Sequence, residues 1–388
     1  MIASFIGASL FLAVPGQAPI PDDGVFECSP GRSICFDLIG NRTVFVNQRN
    51  ELVIVEKGEL KPKVIALEKK EGANYLERMP ASVACVGDGR HAVVAYRDGR
   101  LEIWDCLEKR RIRELDAGGR LLNRLGLSGD GKFLACSTSR PRRGGGPILI
   151  WRTADWAQVG EIDVPGYMGV YQFAADDREI RFTLEERAAR LPDRVDGEGA
   201  EFRGIVAWDL AAGKESRRMA LGTGSPGAFA VSRDGKWVAC GVVWGKKSPV
   251  DQNSFSFSGV LRVYDWESGK IVAEPLRPEW GRIEAIAFSP DGRTLYSPFQ
   301  ALDKTRRGFT GVKAFSAPDW AESWSLTLGK GYAHSIDVSL AGDRVLAVFD
   351  SKLFSIDAKH GESHEVLMRF RLSKEELAEI KELTAPKP

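Results

Sequence analysis

Residues 283–328 read IEAIAFSPDGRTLYSPFQALDKTRRGFTGVKAFSAPDWAESWSLTL, and this stretch carries the plan of the whole chain. It holds an apolar run (IEAIAFS), a tight turn (SPDGR), a second run (TLYS), a loop, a third run closing on a bulky apolar residue (GVKAFS), and a fourth (SWSLTL). Asp-Gly between alternating apolar runs supplies the left-handed backbone that a hairpin turn demands, and Ser-Pro before it presets that turn. The unit recurs. Turn sites stand at Gly40-Asn41, Asp88-Gly89, Asp130-Gly131, Asp176-Asp177, Asp234-Gly235, Asp291-Gly292 and Gly342-Asp343, about 42 to 58 residues apart. Seven such units fill the chain, and that period belongs to radially or linearly stacked repeats.

The third runs end at Val55, Trp104, Trp151, Trp208, Tyr264, Phe315 and Ile356, and four are followed by aspartate: Asp105, Asp209, Asp265 and Asp357. On these residues the chain resembles the WD-repeat family, in a divergent, bacterial-looking form. Ile286-Ala-Phe-Ser-Pro-Asp-Gly292, Leu134-Ala-Cys-Ser137 and Ile103-Trp-Asp105 match the family's first, second and third strands, and the likeness covers about residues 25–371. It implies an all-β, seven-bladed propeller of four-stranded antiparallel blades. The family's Gly-His pair before each inner strand is missing, with only His334 near such a place, so its Trp, Ser/Thr, His and Asp hydrogen-bond tetrad is not expected in most blades. A closed ring agrees with the physics, because stacking buries each blade against its neighbours and leaves only short edges. Each unit owns its four strands, with Glu365–Arg371 as the outer strand of the last blade and Val25–Cys28 available to pair with that blade.

Three regions follow: a signal-peptide-like leader over 1–18, the propeller over 19–372, and a C-terminal helix and tail over 373–388. Ile2–Val14 is an apolar stretch too short to span a bilayer but long enough for a leader core, although no Lys or Arg precedes it. The leader implies export to the periplasm or beyond; unpaired thiols favour the cytoplasm instead. Ser373 and Glu376 have capping-box spacing ahead of Leu377, Ile380 and Leu383.

Composition narrows the function. With 54 basic and 53 acidic residues the net charge is +1, which gives no general field for nucleic acid or anionic membrane. The expected partner is a protein, peptide or glycan, partly acidic, recognised locally by a monomer with no cofactor, no metal and no transmembrane span.

Two sets of residues are candidates. The loops between second and third strands are short in blades one, two and seven and long in blades three to six, which builds a crescent on one face. Its binding residues are Arg140, Arg142 and Arg143; Trp244, Lys246, Lys247, Phe255 and Phe257; and Lys304, Arg306 and Arg307. Phe202, Phe299 and Phe309 add aromatic surface, and blade four mixes charges at Glu185, Glu186, Arg187, Arg190, Asp193 and Arg194. Arginine and aromatic residues are enriched in binding hot spots, whereas charge runs in loops also serve solubility alone. The second set is the mouth of the central channel: Asn123, Arg124, Tyr167, Arg282, Glu284, Tyr332 and His334. No catalytic residue is assigned, but Glu284 and His334 fall on adjacent blades and offer an acid/base pair for a lactonase-like hydrolase. A structural role in a cell envelope is a further alternative.

Several motifs carry no chemistry here. Gly222-Thr-Gly224-Ser-Pro-Gly227 precedes a strand, so it lacks the helix N-terminus that holds a pyrophosphate. Gly241–Ser248 is one residue short of a P-loop. His360 and His364 show no third metal ligand, and Asn41-Arg42-Thr43 is explained by turn geometry. Ser289–Thr294 has glycine directly after aspartate and so lacks the sialidase-type Asp box. The cysteines Cys35, Cys85, Cys136 and Cys240 sit at small buried positions; a bridge between Cys28 and Cys35 requires export.

Overall fold

The computed structural model describes residues 25–27, 30–36, 42–47, 50–56, 63–67, 80–86, 89–140, 144–174, 176–187, 200–222, 224–247, 255–277, 283–302, 308–329, 333–339, 341–349, 352–366 and 369–371. The leader, the C-terminal helix, Cys28 and the first blade's turn lie outside these residues.

Seven four-stranded antiparallel sheets follow one another along the chain, each with its strands in sequence order. Blade one comprises Pro30–Phe36, Arg42–Asn47, Glu51–Glu56 and Lys63–Ala66; blade two, Pro80–Cys85, His91–Tyr96, Arg100–Asp105 and Arg110–Asp116. Blade three is Leu121–Leu127, Phe133–Arg140, Gly144–Arg152 and Gln158–Ile162; blade four, Tyr167–Ala174, Glu179–Arg187, Ala200–Asp209 and Lys214–Ala220. Blade five is Ser225–Val231, Trp237–Lys247, Phe255–Asp265 and Ile271–Leu276; blade six, Ala287–Phe288, Thr294–Leu302, Gly308–Ser316 and Ala321–Gly329. Blade seven is Ala333–Val338, Arg344–Phe349, Lys352–Asp357 and Ser363–Val366.

First strands of neighbouring blades lie against one another around the ring, and Pro30–Phe36 meets Ala333–Val338 to close it. Every third strand ends one residue beyond the bulky apolar position read from the sequence.

The last blade differs from expectation. Its outer strand is Ser363–Val366, and Arg369–Arg371 pairs instead with Val25–Glu27 in a separate two-stranded sheet. That small sheet belongs to a second compact unit, formed by residues 1–27 and 368–388, apart from the ring unit of 28–367.

Hydrophobic burial sits between blades. Ile65 and Leu52 of blade one pack with Tyr96 and Trp104 of blade two, and Leu101 and Ile103 on the other face of blade two pack with Leu134 and Trp151 of blade three. The pattern continues to blade seven, where Val345 and Ile356 meet Val312 and Ala314 of blade six. Middle strands are therefore buried on both faces, and read as near-continuous apolar runs. Outer strands face water: Arg110–Asp116 is largely exposed and Ala321–Gly329 alternates exposed with half-buried. Cys85, Cys106, Cys136 and Cys240 are buried, and burial pushes the Cys136 and Cys240 thiols up to about 12.

Local hydrogen bonds explain the turns. Ser128, Ser232, Ser289 and Ser339 are buried just before the first hairpin turn, and each hydroxyl donates to a turn aspartate: Asp130 at 2.8 Å, Asp234 at 2.6 Å, Asp291 at 2.5 Å and Asp343 at 2.6 Å. The same hydroxyls accept the N–H of Phe133, Trp237, Thr294 and Arg344 where the second strand begins.

Candidate functional site

The hairpin face is built by strand extension. Second strands are six residues long in blades one, two and seven, but eight, nine, eleven and nine in blades three to six. The segments read as long loops are thus largely paired β-ribbons, with only 141–143, 188–199, 248–254 and 303–307 beyond the described pairing. A ribbon forms because pairing the two arms satisfies their backbone N–H and C=O groups in one antiparallel ladder, whatever the side chains along them.

Several crescent residues therefore change place. Trp244, Lys246, Lys247, Phe255 and Phe257 are strand residues, not loop residues: Trp244 stands opposite Ser258, Lys246 opposite Ser256, Lys247 opposite Phe255 and Gly245 opposite Phe257. Arg140 pairs with Gly144 at the end of the blade-three ribbon. Arg142, Arg143, Lys304, Arg306 and Arg307 lie outside the described residues, as do Arg190, Asp193 and Arg194. Two aromatics turn inward. Phe299 is buried and covered by the Lys313 ammonium 5.2 Å from its ring centre, and half-buried Phe202 lies under the Arg218 guanidinium at 5.1 Å. Arg218 is itself tied to Glu186 at 2.9 Å and Glu215 at 2.7 Å, so part of the blade-four charge is neutralised locally.

The channel wall is shaped by bulges. The first strands of blades one to five and blade seven each shift register once against their second strands, as between Leu122 and Leu125 or between Met168 and Tyr171. In blade six the paired part of that strand shrinks to Ala287–Phe288. A bulge leaves a backbone amide without its ladder partner. Hydroxyls supply the acceptors: Ser137 for Arg124 N–H at 3.2 Å, Ser82 for Leu125 N–H at 3.1 Å, and Thr183 for Val170 N–H at 2.9 Å.

Arg124 projects from the blade-three bulge. Its side chain is accessible to water yet ringed by protein, and this enclosure lowers the guanidinium's pKa from its usual value; Tyr171 and the Asp337 carboxylate of blade seven oppose the shift. The Tyr171 hydroxyl lies 2.9 Å from the Arg124 carbonyl and 2.7 Å from that of Ala135, and burial pushes its pKa well up. Tyr167 and Glu284 are exposed and Asn123 half-buried, so these members of the expected mouth face water with Arg124. Arg282 and Tyr332 lie outside the described residues. His334 is on the strand Ala333–Val338, but its side chain lies outside the description, and with it the pairing of Glu284 and His334.

Sequence reading missed Asp337, Tyr171 and the bulge hydroxyls. Ser137 and Thr183 occupy the same position of successive blades, three residues after Leu134 and Ile180, and that recurrence was the available signal. Of the chemistry-like motifs, Gly222–Gly227 already enters the strand Ser225–Val231 at its fourth residue, and Gly241–Lys247 lies within a strand rather than a loop.

No known sequence-family profile matches the chain, and no curated protein matches it by sequence. Among solved structures it is similar to a chain of Kuenenia stuttgartiensis hydrazine synthase, with a TM-score of 0.64 over 88% of this chain and 99% of that chain, at 16% identity. At that identity the likeness shows a shared seven-bladed β-propeller and nothing of shared chemistry.

Proposed function

We propose that this seven-bladed β-propeller, read as a divergent WD-repeat-like chain, is a non-enzymatic interaction platform that holds a partly acidic protein, peptide or glycan on the face carrying its long hairpins. The observation that carries the reading is the confinement of extended ribbons to blades three to six: their second strands run eight to eleven residues against six elsewhere. Closing a blade needs only the short form, so the extra strand and its basic tips are surplus to folding and fit a recognition role.

The test is binding of a fluorescein-labelled oligoglutamate peptide, followed by anisotropy, to the intact chain and to a variant with Arg142, Arg143, Lys246, Lys247, Arg306 and Arg307 changed to Ser. The expected result is salt-sensitive binding by the intact chain, weakened at least tenfold in the variant. Equal binding by both would remove the basis for the hairpin face.

A further inference from the structure

We propose that the crevice between the outer parts of blades one and two is a second, separate binding site, which takes an extended peptide segment bearing acidic and aliphatic side chains. It does not rest on the hairpin-face reading, because none of its residues lies on those ribbons.

The crevice is an open groove of about 530 Å³. One wall is aliphatic, from half-buried Val64 and exposed Ala66 on the outer strand of blade one, with Ile65 buried between them in sequence; the other carries Lys109, Arg110 and Arg111 of blade two beside the buried Trp104. Its lining has three consecutive cations, of which Arg110 donates to Glu108 at 3.1 Å in an exposed pair that a ligand carboxylate can replace. Arg111 is held from beneath: it donates to Glu102 at 3.0 Å and to Glu114 at 2.9 Å. Glu102 is fully buried and also accepts from Tyr96 at 2.9 Å, Trp104 at 3.1 Å and Arg100 at 2.8 Å, which anchors the floor of the crevice. A guanidinium fixed by such a network needs little ordering when a ligand arrives.

Lys109 is the second observation. At six turns between third and fourth strands the chain has one residue of positive φ: Gly213, Gly269 and Gly361, Trp156 and Trp320, and Lys109. Glycine accepts this backbone freely, and the two tryptophans gain packing in exchange: Trp320 is buried and Trp156 packs on the core. Lys109, at φ 53°, is exposed, and among the described residues nothing pairs with its ammonium. Backbone strain at an exposed residue with no packing return points to a role outside the fold itself.

The ligand class follows from the walls. A single phosphate would fill a small part of this volume and leave Val64 and Ala66 unused, whereas a peptide of a few residues sets aliphatic groups on that wall and carboxylates on the cations.

Isothermal titration tests this with an acetylated hexapeptide of alternating leucine and aspartate, its leucine/asparagine counterpart, and inorganic phosphate, each added to the full chain. The variants are Lys109→Gly with Arg110→Ser, and the six-site hairpin variant. The acidic peptide is expected to bind the intact chain and the hairpin variant alike, with Kd raised at least tenfold in the crevice variant and for the asparagine peptide. Because Lys109→Gly relieves the backbone, that single variant is expected to melt a degree or more higher while binding more weakly, a pairing that misfolding cannot produce. Unchanged affinity in the crevice variant, equal affinity for the asparagine peptide, loss only in the hairpin variant, or phosphate binding as tightly as the peptide would each overturn the proposal.

Discussion

Asp105, Asp209 and Asp357, one per blade, each accept two backbone N–H groups just beyond the third strand, from Leu107 and Glu108, from Ala211 and Ala212, and from Lys359 and His360. The aspartate after the bulky residue therefore works as a turn cap, which the sequence column alone could display but not explain. Asp105 has an added partner. A hydrogen bond from Arg90, at 2.7 Å, is the largest cause that lowers its carboxyl from 3.8 to about 2, helped by the two turn amides and opposed by burial. The folded state thus holds this group's proton more weakly than the unfolded chain does, so its contribution is full above about pH 4 and drains away as pH falls toward 2. Arg90→Ala is expected to lower the urea midpoint at pH 7 and to flatten its decline between pH 4 and 2, with the two proteins converging near the acid end. Trp104 shows where residue reading stopped. Its indole N–H donates to Glu102 on its own strand, at 3.1 Å, in place of the Ser/Thr partner of the resembled family. A carboxylate inside a strand looks solvent-facing until the neighbouring blade is known to cover it.

Glycines illustrate the element scale, because two of them occupy the same place on the third strands of blades four and six, for one reason. A Cβ on Gly204 would lie 2.2 Å from the Met219 carbonyl oxygen and 2.5 Å from the Phe202 ring; on Gly311 it would lie 2.0 Å from the Leu326 carbonyl oxygen and 2.7 Å from Phe299. The fourth strand crosses so closely there that no side chain fits. Gly311→Ala is expected to destabilise the fold by about 2 kcal/mol or more, since relief requires moving backbone. Gly213→Ala, where φ is 63° and nothing lies within 4 Å, is expected to cost only about 1 kcal/mol of conformational strain. Denaturant midpoints of the two variants measure the contrast. Blade count, strand order and third-strand ends were all legible in the apolar periodicity and the Asp-Gly turns. Ribbon against loop was not, because sequences such as Val242–Lys247 and Phe255–Val260 alternate too weakly to announce pairing, and register is set by the partner arm. Bulges escaped for a like reason: one extra residue, as at Asn123 and Arg124, leaves the local composition unchanged.

At the scale of the whole ring, the decisive fact is that each of the seven sheets is complete in sequence order, so no blade borrows a strand from another. Blades that are each contiguous in sequence make the order of assembly a matter of covalent linkage, and the opening can be moved. A permutant of the ring unit that begins at Gly166 and ends at Pro165, with the old ends joined by a Gly/Ser linker, keeps every sheet intact. It is expected to retain the native far-UV dichroism and melt within a few degrees of the parent. A cut between Arg97 and Asp98 divides blade two through its middle hairpin, where Ala95 pairs with Leu101, and is expected to lower the melting temperature further. Thermal melts of the two permutants decide the matter; equal losses would mean that blades are not the units of stability.

The seam between Pro30–Phe36 and Ala333–Val338 also has a mechanical meaning. Elsewhere a tensile load passes from blade to blade along the peptide chain itself, whereas at this joint the two inner strands are far apart in sequence and, among the described residues, no strand pairing joins them. Pulled across that joint, the ring unit is expected to open there first, and each sheet then resists as a separate link, so it lengthens in steps of one blade rather than tearing as a single body.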